Sequence, residues 1–207
     1  MPADVVQLIG NPRSGSRTRT LADTVAETLL ARLADREVQL QGRANLELGE
    51  IVTVSFASGP AGTGGTDRTP VGDTVGVTDP FEAVRSARLL VVATPTYKGT
   101  YTGLLKVFLD QFRQGDLSDV VAVGVAIAAS EAHRRAVAAT LQDLLAALGA
   151  RVPAEPVALL EPETADAAQL VNDWADKYAD PIAAALSLPR PGRRAVTGPG
   201  RRRRTGH

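Results

Sequence analysis

Five short, nearly unbroken apolar runs punctuate the chain, and most of the gaps between them carry a helical period. That alternation limits the possible folds more than any other feature. The first run is Val5-Val6-Gln7-Leu8-Ile9, closed by Gly10. Leu21, Val25, Leu29 and Leu33 follow at four-residue steps, which puts them on one face of a helix. A weaker strand is expected from Ala44 to Leu48. Leu89-Leu90-Val91-Val92-Ala93 is the clearest strand and runs into Thr94-Pro95. Leu104, Leu105, Phe108, Leu109 and Phe112 mark the next helix, and Val120 to Ile127 the next strand. Val137, Leu141, Leu144, Leu145 and Leu148 form a helical stripe stopped by Gly149. Val157 to Leu160 is the last strand. Leu170, Trp174, Tyr178 and Ile182 carry the last helix, with a kink or break expected at Pro181.

Strands that are apolar at consecutive positions belong to parallel sheets covered on both faces. Right-handed crossovers then reduce the topology to a doubly wound sheet. The expected fold is α/β, three-layered, with a five-stranded parallel sheet in the flavodoxin-like order 2-1-3-4-5. Between the second and third strands the pattern fails, and residues 57–78, rich in Gly, Pro and Thr, are expected to form a long loop. Neither flank of that loop makes a complete domain, so residues 1–188 are read as one domain. Asp79-Pro80-Phe81-Glu82 restarts a helix cleanly: an N-cap, a proline at the first helical position and a glutamate placed to reach back.

Composition removes several function classes. The chain of 207 residues has no cysteine, so disulfides, thiolate metal sites and cysteine nucleophiles are excluded. Two histidines, His133 and His207, leave little for a histidine metal site. No apolar stretch approaches the roughly 18 residues that span a bilayer. The N-terminus has no basic region ahead of its first strand, so a cytoplasmic protein is expected. The net charge is zero, yet the last twenty residues hold seven arginines and no acid, which leaves −7 on the rest. An acidic body is a poor nucleic-acid surface. Residues 189–207 have no apolar periodicity and are expected to be a disordered arginine-rich tail.

The loop after the first strand reads Gly10-Asn11-Pro12-Arg13-Ser14-Gly15-Ser16-Arg17-Thr18. It lies at the carboxyl edge of the sheet and ends at a helix N-terminus, where free N–H groups attract anions. Ser14, Ser16 and Thr18 add hydroxyls, and Arg13 and Arg17 add guanidinium groups suited to phosphate. The loop lacks both the P-loop pattern and Gly-x-Gly-x-x-Gly, so a mononucleotide phosphate fits better than a triphosphate or a pyrophosphate. The loop after the third strand, Thr94 to Lys106, offers Pro95 as a strand stop, Gly99 and Gly103 for tight turns, exposed N–H groups and Tyr97 as an aromatic surface. On that segment alone, a flavin-ring site and an ordinary strand-to-helix loop are equally good readings.

Together, Gly10-x-Pro12-Arg13-x-x-Ser16-x-Thr18-x-x-Leu21 and Ala93-Thr94-Pro95-Thr96-Tyr97-Lys98-Gly99-Thr100-Tyr101-Thr102-Gly103-x-Leu105-Lys106-x-x-x-Asp110 resemble the NAD(P)H-dependent FMN reductase family. The branch most similar is the flavin reductases that supply two-component alkanesulfonate monooxygenases. The resemblance runs from about Val5 to Leu186, apart from the 57–78 insert. It implies FMN as cofactor or substrate, NAD(P)H as hydride donor, a flavin-dependent monooxygenase as partner, and a homodimer or homotetramer. It also implies that Arg13, Ser14, Ser16 and Thr18 hold the FMN phosphate, and that Pro95, Thr96, Tyr97, Lys98 and Gly99 border the isoalloxazine. The resemblance also implies a third flavin-facing position at Ser130, in the loop after the fourth strand, where a plain cap of the next helix is the alternative reading. Two departures stand out: Asn11 where the family often has Ser, and Lys98 where many members have Asn, although the sulfonate branch commonly has Lys. His133 reads as a packing or surface histidine.

Hydride transfer from nicotinamide to flavin N5 is chemistry of the cofactors, so no catalytic acid or base is expected. Three rival readings share the fold. They are an FMN-containing quinone or azo-dye reductase, a flavodoxin-like electron carrier, and a module that has lost flavin.

Overall fold

The computed structural model describes residues 3–51 and 79–190. Its five parallel strands are β1 (Val5–Ile9), β2 (Arg43–Glu47), β3 (Leu89–Pro95), β4 (Val121–Ala128) and β5 (Val157–Leu160). They lie in the order β2-β1-β3-β4-β5, the doubly wound arrangement expected from the apolar runs. The helices are α1 (Arg17–Ala34), α2 (Pro80–Ser86), α3 (Gly103–Leu109), α4 (Glu131–Ala147) and α5 (Ala167–Ser187), with a 3-10 turn at Pro162–Asp166. The 57–78 loop lies outside the described residues, and so does the tail apart from Pro189 and Arg190. Those two are tied down: Arg151 donates to Pro189 O, and Arg190 donates to the carbonyls of Ser86 and Ala87.

Alternation along the strands divides the core in two. Val5, Ile9, Val91, Ala93, Val123 and Val125 face one way, toward α1 and α5. Val6, Leu8, Leu90, Val92 and Ala122 face the other way, toward α2, α3 and α4. Each fully buried Leu or Val contributes about 1.5–3 kcal/mol of transfer free energy, so the two faces clamp the sheet from both sides. β1 and β3 run in register, Ile9 opposite Ala93, so the loops that follow them start side by side.

Local chemistry sets the helix starts. Ser16 caps α1 by accepting from the Arg19 N–H at 3.4 Å. Asp79 caps α2 through the N–H groups of Phe81 and Glu82. Thr102 caps α3 and Ser130 caps α4.

Three local expectations change. α5 continues through Pro181 to Ser187 instead of breaking, because Ile182, Ala183, Ala185 and Leu186 are all buried beyond it. Packing on that face outweighs the hydrogen bond that the proline removes. α3 ends at Leu109, so Phe112 sits in the following turn, where it still packs against Phe81 and Phe108. Gln7, read as part of an apolar run, is fully buried and donates to Asp23 Oδ1 at 3.0 Å.

Candidate functional site

The loops after β1 and β3 meet at one buried hydroxyl. Thr102 Oγ1 donates to Gly10 O at 2.6 Å and accepts from the Leu105 N–H at 3.2 Å. The Thr102 N–H in turn donates to Thr94 Oγ1 at 3.2 Å. Thr102 is 2% exposed, so this one side chain ties the end of the second loop to the start of the first. Gly10 has to be glycine, because a Cβ there comes within 2.8 Å of Leu105 Cβ. The sequence reading quoted Thr102 in its motif without a role. The available signal was a threonine two residues ahead of an apolar helical run, which is an N-cap pattern.

The first loop is braced by its own polar groups. Asn11 Oδ1 accepts from the Arg13 N–H at 2.9 Å, and Asn11 Nδ2 donates to Thr18 Oγ1 at 3.2 Å. Thr18 is therefore buried beneath the loop. Ser14 Oγ donates to Glu50 at 2.6 Å, and the Gly15 N–H donates to Glu47 at 3.2 Å. Glu47 also pairs with Arg19, and Arg19 with Asp23. Gly49 presses flush against the loop, since a Cβ there meets Pro12 O at 2.6 Å. The carboxylates of Glu47 and Glu50 went unnoticed in the sequence because they lie more than thirty positions from the groups they hold. Arg17 lies 3.7 Å from Glu161, an exposed pair worth little. Arg13 is exposed and has no ion-pair partner among the described residues.

The second loop is a tight turn. The Thr96 N–H donates to Ile127 O at 2.9 Å, which extends the β3–β4 ladder by one residue. Tyr97 and Thr100 then exchange both backbone hydrogen bonds, at 3.0 and 3.3 Å. Lys98 and Gly99 form the two-residue tip, with φ of 53° and 84°. Positive φ at both central positions is the type I′ signature, for which Asn-Gly is the preferred pair. A lysine in that left-handed region costs about 1–2 kcal/mol. Gly103, expected as a turn residue, instead opens α3. The N–H groups of Thr96, Tyr97, Thr100 and Thr102 are already paired, so Lys98, Gly99 and Tyr101 supply the free amides here.

Two contacts dock this tip on α4. The position of a Gly99 Cβ is 3.6 Å from His133 Cδ2, and Thr100 Oγ1 lies 3.4 Å from Thr140 Oγ1. His133 is an exposed histidine whose ring edge faces the tip of the second loop. Ser130 Oγ accepts from the His133 N–H at 3.3 Å, which orients it as a helix cap. Lys106 is committed to Asp110, whose hydrogen bond raises its pKa. Tyr97 is half exposed, and Thr96 Oγ1 is buried with no hydrogen-bond partner.

The crevice therefore offers a free guanidinium and a helix N-terminus at one end. At the other it offers an orphaned hydroxyl, an exposed aromatic ring and free amides. That set fits a phosphate joined to a flat, polar-edged ring system. No group of acidic or histidine side chains among the described residues suits a metal ion. No helix among them is long and apolar enough to cross a membrane.

Comparison with known proteins agrees with this chemistry. Residues 3–164 match the model of a family described as NADPH-dependent FMN reductase. The chain is 29% identical to an FMN reductase (NADPH) of Escherichia coli over 147 residues, 71% of this chain and 68% of that one. It is also 29% identical to the NADH-dependent FMN reductase SfnF of Pseudomonas putida, over 69% of each chain. Among solved structures, an apo NADH:FMN oxidoreductase superposes with a TM-score of 0.65 at 26% identity, covering 89% of this chain and 88% of that one.

Proposed function

The chain belongs to the NADPH-dependent FMN reductase family, and from that premise we propose that its carboxyl-edge crevice binds FMN for reduction by NAD(P)H. The observation that carries this reading is the Thr102–Gly10 hydrogen bond, which makes one crevice of two loops with complementary chemistry. FMN, when bound, supplies the hydride-accepting ring.

The chain's own residues do the rest. Arg13 pairs with the phosphate, with Ser16 and the α1 N-terminus beside it. Ser14 reaches the phosphate only after leaving Glu50. Thr18 acts from below, by holding Asn11 and so the shape of the loop. Thr96, on the far side, offers its orphaned hydroxyl to a polar ring edge, and Tyr97 offers a surface. Pro95 ends β3 so that this segment turns across the crevice mouth. Ser130 borders the third side from the cap of α4. No side chain here is required to move a proton.

A monooxygenase that receives the reduced flavin, a homodimeric or homotetrameric assembly and a cytoplasmic location belong to the same reading. Light scattering of the purified chain tests the assembly. The activity test is oxidation of NADPH and NADH, followed at the nicotinamide absorbance with and without FMN. Oxidation that requires FMN is expected. Oxidation of neither nucleotide in the presence of FMN ends the enzyme reading.

A further inference from the structure

Lys98 holds a conformation that a lysine disfavours, at a position where asparagine fits best. The turn geometry therefore does not explain the lysine, but its charge does. The ammonium has no carboxylate partner among the described residues. Glu131, in the first turn of the facing helix, is taken by Arg134. The turn that carries Lys98 is closed by the Tyr97–Thr100 backbone pair, and Thr100 Oγ1 lies 3.4 Å from Thr140 Oγ1 on α4. The N–H groups of Lys98 and Gly99 make no hydrogen bond among the described residues. An exposed cation with no ion-pair partner among the described residues, on a turn whose two tip amides are free, is an anion post.

The proposed reaction brings two phosphorylated ligands to this crevice. The phosphate of FMN has the first loop, at the other end. We infer that Lys98, at the tip of the second loop, binds a phosphate of the nicotinamide nucleotide and so sets this chain's preference between NADPH and NADH. The inference rests on the FMN reductase reading and adds the residue that recognises the second substrate. The two relatives differ in the nicotinamide their names carry, so a recognition residue at the rim has a choice to make.

The test compares the full chain with Lys98→Asn and Lys98→Arg. Asparagine suits the turn, so Lys98→Asn is expected to fold and to raise the thermal midpoint by about 2–4 °C. Calorimetric titration with NADP+ and NAD+ reads binding without turnover, and FMN titration is run in parallel. Lys98→Asn is expected to weaken NADP+ at least tenfold, with FMN affinity changed less than threefold and Lys98→Arg restoring NADP+ binding. Loss confined to NADP+ assigns the 2′-phosphate, and equal loss of NADP+ and NAD+ assigns the pyrophosphate. Only the first result supports the inference; equal loss leaves the preference between the two nucleotides unchanged and overturns it. Unchanged binding of both nucleotides overturns it, and so does a tenfold loss of FMN affinity, which gives the ammonium to the flavin. Failure of the unmodified chain to bind FMN or to oxidise either nucleotide removes the underlying reading instead.

Discussion

The two loops of the crevice solve different problems. The first, residues 10–18, is braced from within and below: Asn11 holds Thr18, Glu50 holds Ser14, and Glu47 holds Gly15. The second, residues 95–101, uses backbone pairing instead, and a tight turn carries a lysine that has no ion-pair partner among the described residues. The first loop keeps one free cation, Arg13, beside hydroxyls that already have partners. The second keeps its cation and its free amides together at the tip. One loop is a preformed cradle whose donors must exchange partners, and the other is an open post. The difference teaches that sequence richness in Ser and Thr does not count available donors. The partners of those hydroxyls decide.

Substitutions can break or sharpen that contrast. Arg13→Ala removes the first loop's unpaired cation, and FMN binding should weaken by about 1.5–3 kcal/mol, read by flavin fluorescence quenching. Unchanged affinity would show that the cradle is not the grip. Gly10→Ala drives a Cβ into Leu105 where the loops join. Unfolding free energy in urea should fall by about 1–3 kcal/mol, with FMN affinity falling too. Thr102→Val leaves Gly10 O and the Leu105 N–H without their partner, at a cost of about 1–2 kcal/mol in the same urea assay. A loss below the error of that assay would mean the loops are joined by something else. Glu50→Gln is expected to have the smallest effect and the opposite sign. It removes a negative charge beside the cradle and loosens Ser14, so FMN should bind more tightly by about 0.5–1 kcal/mol. Weaker binding would mean that Glu50 shapes the cradle and does not compete with the ligand.

Much of the fold was legible because the apolar runs and helical stripes carry it. Val5 to Ile9, Leu89 to Ala93 and the Val137–Leu148 stripe lie where their periodicity puts them. At Pro181 the helix does not break, which local propensity could not foresee because it cannot weigh the burial of Ile182 and Leu186. At the site, the sequence located both loops through position and composition. It could not see that Ser14 and Gly15 are held by Glu50, just beyond β2, and Glu47, at its end, since pairing between distant positions leaves no local pattern. It also could not see that Lys98 sits at positive φ, because that strain comes from the closed Tyr97–Thr100 pair. Family membership implied which segments matter, and the geometry separated the groups that are free from those already engaged.

A crystal structure of the full chain grown with FMN tests the two-loop crevice most directly. The account predicts the phosphate against Arg13 and Ser16, with the ring lying along Thr96 and Tyr97. A flavin bound elsewhere, or one with its phosphate at Lys98 and its ring over the first loop, would contradict it.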